Sequence, residues 1–185
     1  MDSFGKQKMK ALPSFKYHPD PIATGAVIIQ KATCICCALP VDHVYTASAY
    51  STNEIRGKIC PWCISDGSAA DKLSVEFLPP YAVRMCNVSD VVVDEVVRRT
   101  PGYHSWQEQA WIGHCNDACA YLGGATPDQC SSATSGAIDH FADSFGLGSE
   151  DAVVTLMRYN PDQEISIHRF QCLHCGISLF HGEYA

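Results

Sequence analysis

Four close cysteine pairs, Cys34/Cys37, Cys60/Cys63, Cys115/Cys119 and Cys172/Cys175, constrain this chain more than any other feature of its sequence. A Cys-x-x-Cys pair lets two thiolates converge on one ion from a single tight turn. Two such pairs complete a tetrahedron at about 2.3 Å per Zn–S bond. The total of eleven cysteines is odd, which argues against a complete disulfide set. In a reducing compartment, clustered cysteines read as metal ligands or redox centres before disulfides. Metal is not the only source of stability, because a chain of 185 residues buries about 70% of its unfolded surface.

The first expected site is Cys34, Cys37, Cys60 and Cys63. A knuckle, a hairpin and a ligand-bearing helix start follow one another, the order of a treble-clef zinc finger. Ala38 stands where glycine often supplies the left-handed residue after a knuckle, and Cys36 is an alternative donor. The string Cys60-Pro61-Trp62-Cys63 also matches a glutaredoxin-like redox motif, in which a helix N-terminus activates a thiolate. A second Cys-x-x-Cys upstream counts against that reading. The second expected site is Cys115, Cys119, Cys172 and Cys175, with His114 as an alternative donor. It assumes a helix that places Cys115 and Cys119 one turn apart on one face. The residues Cys172-Leu173-His174-Cys175-Gly176 form a knuckle with its glycine. Cys86 and Cys130 read as buried structural thiols. The expected cofactor is two structural zinc ions, and no catalytic residue is assigned, since closed sites are structural.

Periodicity and breakers predict strands over 24–30, 41–50, 165–171 and 177–181. Helices are predicted over 61–73, over 89–99 with Ser89 as N-cap, and over 106–122 from a Ser105/Glu108 capping box. Further helix starts fall at Thr126-Pro127-Asp128 and Ser149-Glu150-Asp151. The fold class is α+β: a treble-clef/knuckle-type zinc unit with a small antiparallel sheet, plus a helical segment tied down by a second zinc site. Residues 1–185 read as one domain, with an N-terminal zinc unit over 13–80 and a helical part over 89–185. No apolar run approaches the ~20 residues needed to span a bilayer. The four lysines of residues 1–16 show no apolar signal region, so a cytoplasmic address is expected.

Net charge is −7 and unevenly spread: residues 1–100 hold eleven Lys/Arg and ten Asp/Glu, whereas 101–185 hold two and ten. That balance disfavours direct nucleic-acid binding and favours a basic protein partner. Asp128, Asp139, Asp143, Glu150 and Asp151, with Asp162 and Glu164, mark the expected face, against Arg158 alone. His18, Asp20, His104, Trp106 and Gln107 are a second candidate group, expected to line a pocket. His18-Pro19-Asp20 also spells the J-domain tripeptide, but the strand-like TGAVIIQ that follows rules against that fold.

The strings PSFKYHPDPIATG, CPWCISDGSAA, TPGYHSWQEQAWIGHCNDACAYLG and FQCLHCG, in this order, resemble the CbrC-like bacterial family over residues 13–180. The resemblance implies a cytosolic bacterial protein with cysteine pairs at these positions and a link to tolerance of a nuclease-type colicin. It carries no catalytic residue. Two functions follow as expectations. One is a non-enzymatic zinc protein that binds and neutralises a basic nuclease toxin, in the manner of an immunity factor. The other is a metal-dependent hydrolase, with Glu108 as base, or a thiol oxidoreductase.

Overall fold

The computed structural model describes residues 11–184. The lysine-bearing segment 1–10 lies outside the described residues. An extended arm leads into strands β1 (Val27–Thr33) and β2 (Pro40–Tyr45), which pair antiparallel from Val27↔Tyr45 to Thr33↔Pro40. The two-residue strand β3 (Tyr50–Ser51) follows, then helices α1 (Pro61–Ser65) and α2 (Ser68–Leu73). Strand β4 (Val75–Glu76) returns to pair with β3. The expected helix over 61–73 is thus broken in two. Gly67 takes φ 78° between the halves, a left-handed value that ends one helix and opens the next.

Helix α3 (Pro80–Arg84) precedes α4 (Asp90–Arg99), which begins and ends where its sequence signals place it. Ser89 Oγ accepts the Val92 N–H at 3.4 Å, and Val93, Val96 and Val97 face the interior. The chain then runs without regular structure to β5 (Gly113–His114) and β6 (Asp117–Ala118), followed by β7 (Ala120–Gly124). Helices α5 (Pro127–Ser131), α6 (Ser135–Phe145) and α7 (Ser149–Met157) come next. Strands β8 (Ile165–Gln171) and β9 (Ser178–Tyr184) close the fold in a sheet ordered β7-β8-β9.

The helix expected over 106–122 does not form. Its capping donors are claimed from 76–78 residues away. Ser105 Oγ donates to the Glu183 carboxylate, and the amides of Trp106 and Gln107 donate to it at 3.1 and 3.3 Å. Downstream, Cys115 and Asn116 take φ 54° and 58°, which turns the chain in two residues between β5 and β6. Two successive left-handed residues are the signature of the tight hairpin turn that matches strand twist. The capping box forms instead at α5, where Thr126 Oγ1 accepts the Gln129 N–H and Gln129 Oε1 accepts the Thr126 N–H.

The apolar interior falls into two clusters. One gathers Phe15, Ala26, Tyr45, Ile59, Ile64, Val75 and Phe77 around Cys34, Cys60 and Cys63. The other gathers residues of α4, α6 and the β7-β8-β9 sheet around Tyr103, Trp111, Tyr121, Phe141 and Phe170, with α6 packed on β9. Tyr103 stacks on Tyr121 at 4.2 Å between ring centres.

Candidate metal centres

Both knuckles are the tips of β-hairpins, and their backbones match. Cys34 N–H donates to Leu39 O at 3.0 Å, and Ala38 N–H returns to Cys34 O at 2.8 Å. Likewise Cys172 N–H donates to Ile177 O at 2.9 Å, and Gly176 N–H returns to Cys172 O at 3.1 Å. The left-handed residue is Gly176 (φ 75°) in one knuckle and Ala38 (φ 57°) in the other. Ala38 therefore accepts the strained conformation that glycine takes freely.

At the first centre, Cys60 caps α1 with extended φ/ψ and directs its N–H to Cys34 Sγ at 3.4 Å. One helical turn later Cys63 brings its sulfur to 3.9 Å from Cys34 Sγ. The donor atoms of Cys34, Cys37, Cys60 and Cys63 all lie within 4.8 Å of one another. Sulfurs about 2.3 Å from a shared ion at tetrahedral angles stand about 3.8 Å apart, so the set fits one cation. No two sulfurs are joined in a disulfide. Cys36 is not in the set and donates to Ser68 Oγ at 3.5 Å.

Burial pushes the Cys34 thiol up, but the backbone N–H groups of Cys37, Cys60 and Cys36 outweigh it and bring it down to about 7. Cys60 is pushed up to about 12 by burial, and burial raises Cys63 as well. Several thiols held this close oppose one another's ionisation, and a shared cation inverts that penalty.

At the second centre, the atoms within 4.8 Å of one another belong to His114, Cys115, Cys172 and Cys175. His114 Nδ1 lies 3.2 Å from Cys115 Sγ and 3.4 Å from Cys175 Sγ. Cys119 is not in the group. It is fully buried between β6 and β7, its N–H bonded to Ile112 O and its carbonyl accepting Trp111 Nε1–H. The helical spacing that would have paired Cys119 with Cys115 is absent; the β5–β6 turn presents adjacent residues instead. The Cys172 thiol falls to about 6, because backbone N–H groups of Cys175 and His174 overcome the effect of burial. Desolvation and the Cys172 and Cys175 sulfurs push Cys115 up to about 11.

Around this centre Asp117 is a hub that sequence reasoning missed. Its carboxylate accepts Tyr17 Oη–H at 2.7 Å, pairs with Lys16 Nζ at 2.9 Å and meets His174 Nε2 at 3.0 Å. Burial opposes its ionisation, yet these partners hold it down to about 2. Nothing in local spacing announces a contact between residues 16 and 117.

The five residues expected to line a pocket bond to partners outside the group. His18 is sealed: Nδ1 pairs with Pro101 O at 2.8 Å, Nε2 with Thr24 Oγ1 at 2.7 Å, and its ring meets Tyr121 edge-on. Burial lowers its pKa to about 4, so it is neutral and donates from Nδ1. Asp20 accepts Ala23 N–H in a local turn, and His104 Nε2 meets Thr46 Oγ1 at 3.3 Å. Trp106 and Gln107 are tied to Glu183 by their backbones, while the Trp106 side chain is 73% exposed. Glu183 itself is 2% exposed and also meets His168 Nε2 at 2.8 Å; His168 Nδ1 in turn meets Tyr121 Oη at 3.1 Å. Cys130 is buried, and Cys86 donates to Trp111 O.

Fold and site together define a small mixed α/β protein with two cysteine-rich donor sets, each able to hold a metal ion. The chain belongs to an uncharacterised protein family, UPF0167, whose model matches residues 12–184. It is 41% identical over 167 residues to UPF0167 protein PA1536 of Pseudomonas aeruginosa, covering 89% of this chain and 93% of that protein. It is 34% identical over 180 residues to UPF0167 protein Mb2317 of Mycobacterium bovis, covering 94% of each. UPF0167 protein MT2352 of Mycobacterium tuberculosis matches to the same extent. No solved structure matches. No helix among the described residues is long and apolar enough to cross a membrane.

Proposed function

We propose that this protein is a two-zinc scaffold without catalytic activity, which presents an acidic helical face to a basic protein partner. The observation that carries the metal reading is the convergence of two four-donor sets from chain segments 26 and 57 residues apart, measured from Cys34 to Cys60 and from Cys115 to Cys172. Thiolate and imidazole donors in a four-coordinate set favour zinc over harder cations. A knuckle at a hairpin tip, followed by a ligand at a helix start, supports a treble-clef-like unit at the first centre. Each set supplies four protein donors and keeps no position for water, which supports a structural role over hydrolysis.

The partner reading rests on the surface of α5–α7. Asp128, Asp139, Asp143, Glu150 and Asp151 are exposed, as are Asp162 and Glu164, and none forms an ion pair among the described residues. An unneutralised acidic face steers a basic protein into fast, salt-sensitive association. The narrowest form of this reading, suggested by the CbrC-like resemblance, is tolerance of a nuclease-type toxin in the bacterial cytoplasm.

Elemental analysis of the purified chain tests the metal reading, with two zinc ions per chain expected and none refuting it. Calorimetry against basic nucleases encoded near its gene tests the partner: binding that weakens with salt supports it, and flat titrations reject it.

A further inference from the structure

The two donor sets share knuckle geometry but differ in exposure. In the first, Cys34, Cys60 and Cys63 are at most 4% exposed and belong to a hydrophobic cluster with Phe15, Ile59, Ile64 and Phe77. Its open side is a cleft that borders Cys37, Cys60 and Cys63 and is walled by Leu39, Val41 and Trp62 together with Lys31, Asp42 and Asp66, yet Cys60 and Cys63 themselves stay buried. In the second, Cys115 and Cys175 are exposed, His114 is half-buried and only Cys172 is buried. Two of its donors lie on a hairpin whose strands are two residues each, the kind of element that opens locally at low cost. The donor sets also differ chemically. Four thiolates around Zn²⁺ carry net −2, whereas three thiolates and a neutral imidazole carry −1, so the second set holds the cation less strongly.

We infer that the second centre is a zinc-exchange site, from which a thiol or amino-carboxylate ligand takes the metal directly, while the first centre retains its ion. The inference rests on the two-zinc reading above. In the exchange the incoming ligand enters at the exposed Cys115/Cys175 edge and forms a bond to zinc as a protein thiolate leaves. No redox change occurs, and the vacated thiolates take up protons from water. The buried Asp117, anchored by Lys16, Tyr17 and His174, keeps the β5–β6 hairpin beside the knuckle, so the emptied site remains assembled for reloading.

The test uses the full chain loaded with zinc under reducing conditions. Stoichiometry is measured first, and release into excess EDTA is then followed with a chromogenic zinc indicator. The expected result is two ions per chain, one leaving roughly ten-fold faster or more. Cys175→Ser is expected to carry one ion and to lack the fast phase. Mass-spectrometric footprinting of the zinc-loaded wild-type chain with N-ethylmaleimide needs no variant, and Cys115 and Cys175 should be alkylated before Cys34, Cys60 and Cys63. Fewer than two ions would refute the underlying metal reading. Two ions released at one rate, or Cys34, Cys60 and Cys63 labelled first, would overturn the exchange assignment and leave the metal reading standing.

Discussion

Replacing Glu183 by glutamine should destabilise the protein far more than any exposed acidic substitution. The carboxylate is 2% exposed and receives hydrogens from Ser105 Oγ, Trp106 N, Gln107 N and His168 Nε2. A glutamine keeps one acceptor oxygen and turns an NH₂ toward groups that are themselves donors. Hydrogen bonds to a charged group contribute about 1.5–3 kcal/mol, and a buried donor left unpaired costs about 1–3. A loss of about 2–4 kcal/mol follows for Glu183→Gln, or roughly 5–15 °C in Tm at this chain length. Burial raises the Glu183 pKa, but His168, Ser105 and the Trp106 amide more than offset it and hold it at about 2, below its ordinary 4.5. The stabilisation from its charge is therefore complete above pH 4.5 and lost as pH falls toward 2. The gap between wild type and variant should narrow over that window. Thermal denaturation of the metal-loaded proteins followed by circular dichroism measures it, with exposed Asp139→Asn as control. A Glu183→Gln variant melting within about 1 °C of wild type at pH 7 would refute the assignment of Glu183 as the anchor of the 105–107 loop.

Ala38→Gly should stabilise the metal-loaded chain by up to about 1 kcal/mol, since Ala38 holds φ 57°, and Gly176→Ala should destabilise it by about 1–2 kcal/mol; paired chemical denaturation curves measure both. Cys119→Ala should keep both metal ions and cost about 1–2 kcal/mol of packing, whereas Cys34→Ser should lose one ion, as elemental analysis will show. Neutralising Asp128, Asp139, Asp143, Glu150 and Asp151 together should slow association with a basic partner and flatten its salt dependence, read by stopped flow.

The first candidate metal centre was legible because all four of its donors lie in Cys-x-x-Cys pairs, where spacing alone fixes local geometry. The α4 boundaries were legible for a related reason: Ser89 and the valine spacing are local signals. The second centre was half legible. Its knuckle was plain, but its other two donors depend on whether 105–119 is helix or hairpin. That choice is made by Glu183, 78 residues beyond Ser105, which takes the hydrogens that a helix N-terminus would have offered to its own cap. Asp117 and His168 escaped for the same reason, since their partners lie far from them along the chain. The burial of His18 was not legible either, because the backbone carbonyl and the hydroxyl that satisfy it inside the core are set by the fold.

The contacts of Lys16 and Tyr17 with Asp117, and of Asp117 with His174, place three remote stretches in one ionic junction. Phe15 seats the arm in the first apolar cluster, but the ionic tie at residues 16 and 17 waits until β6 and then the distal knuckle have been made. Shortening the protein from its distal end would thus take His174 out of that junction while Lys16 and Tyr17 kept their hold on Asp117.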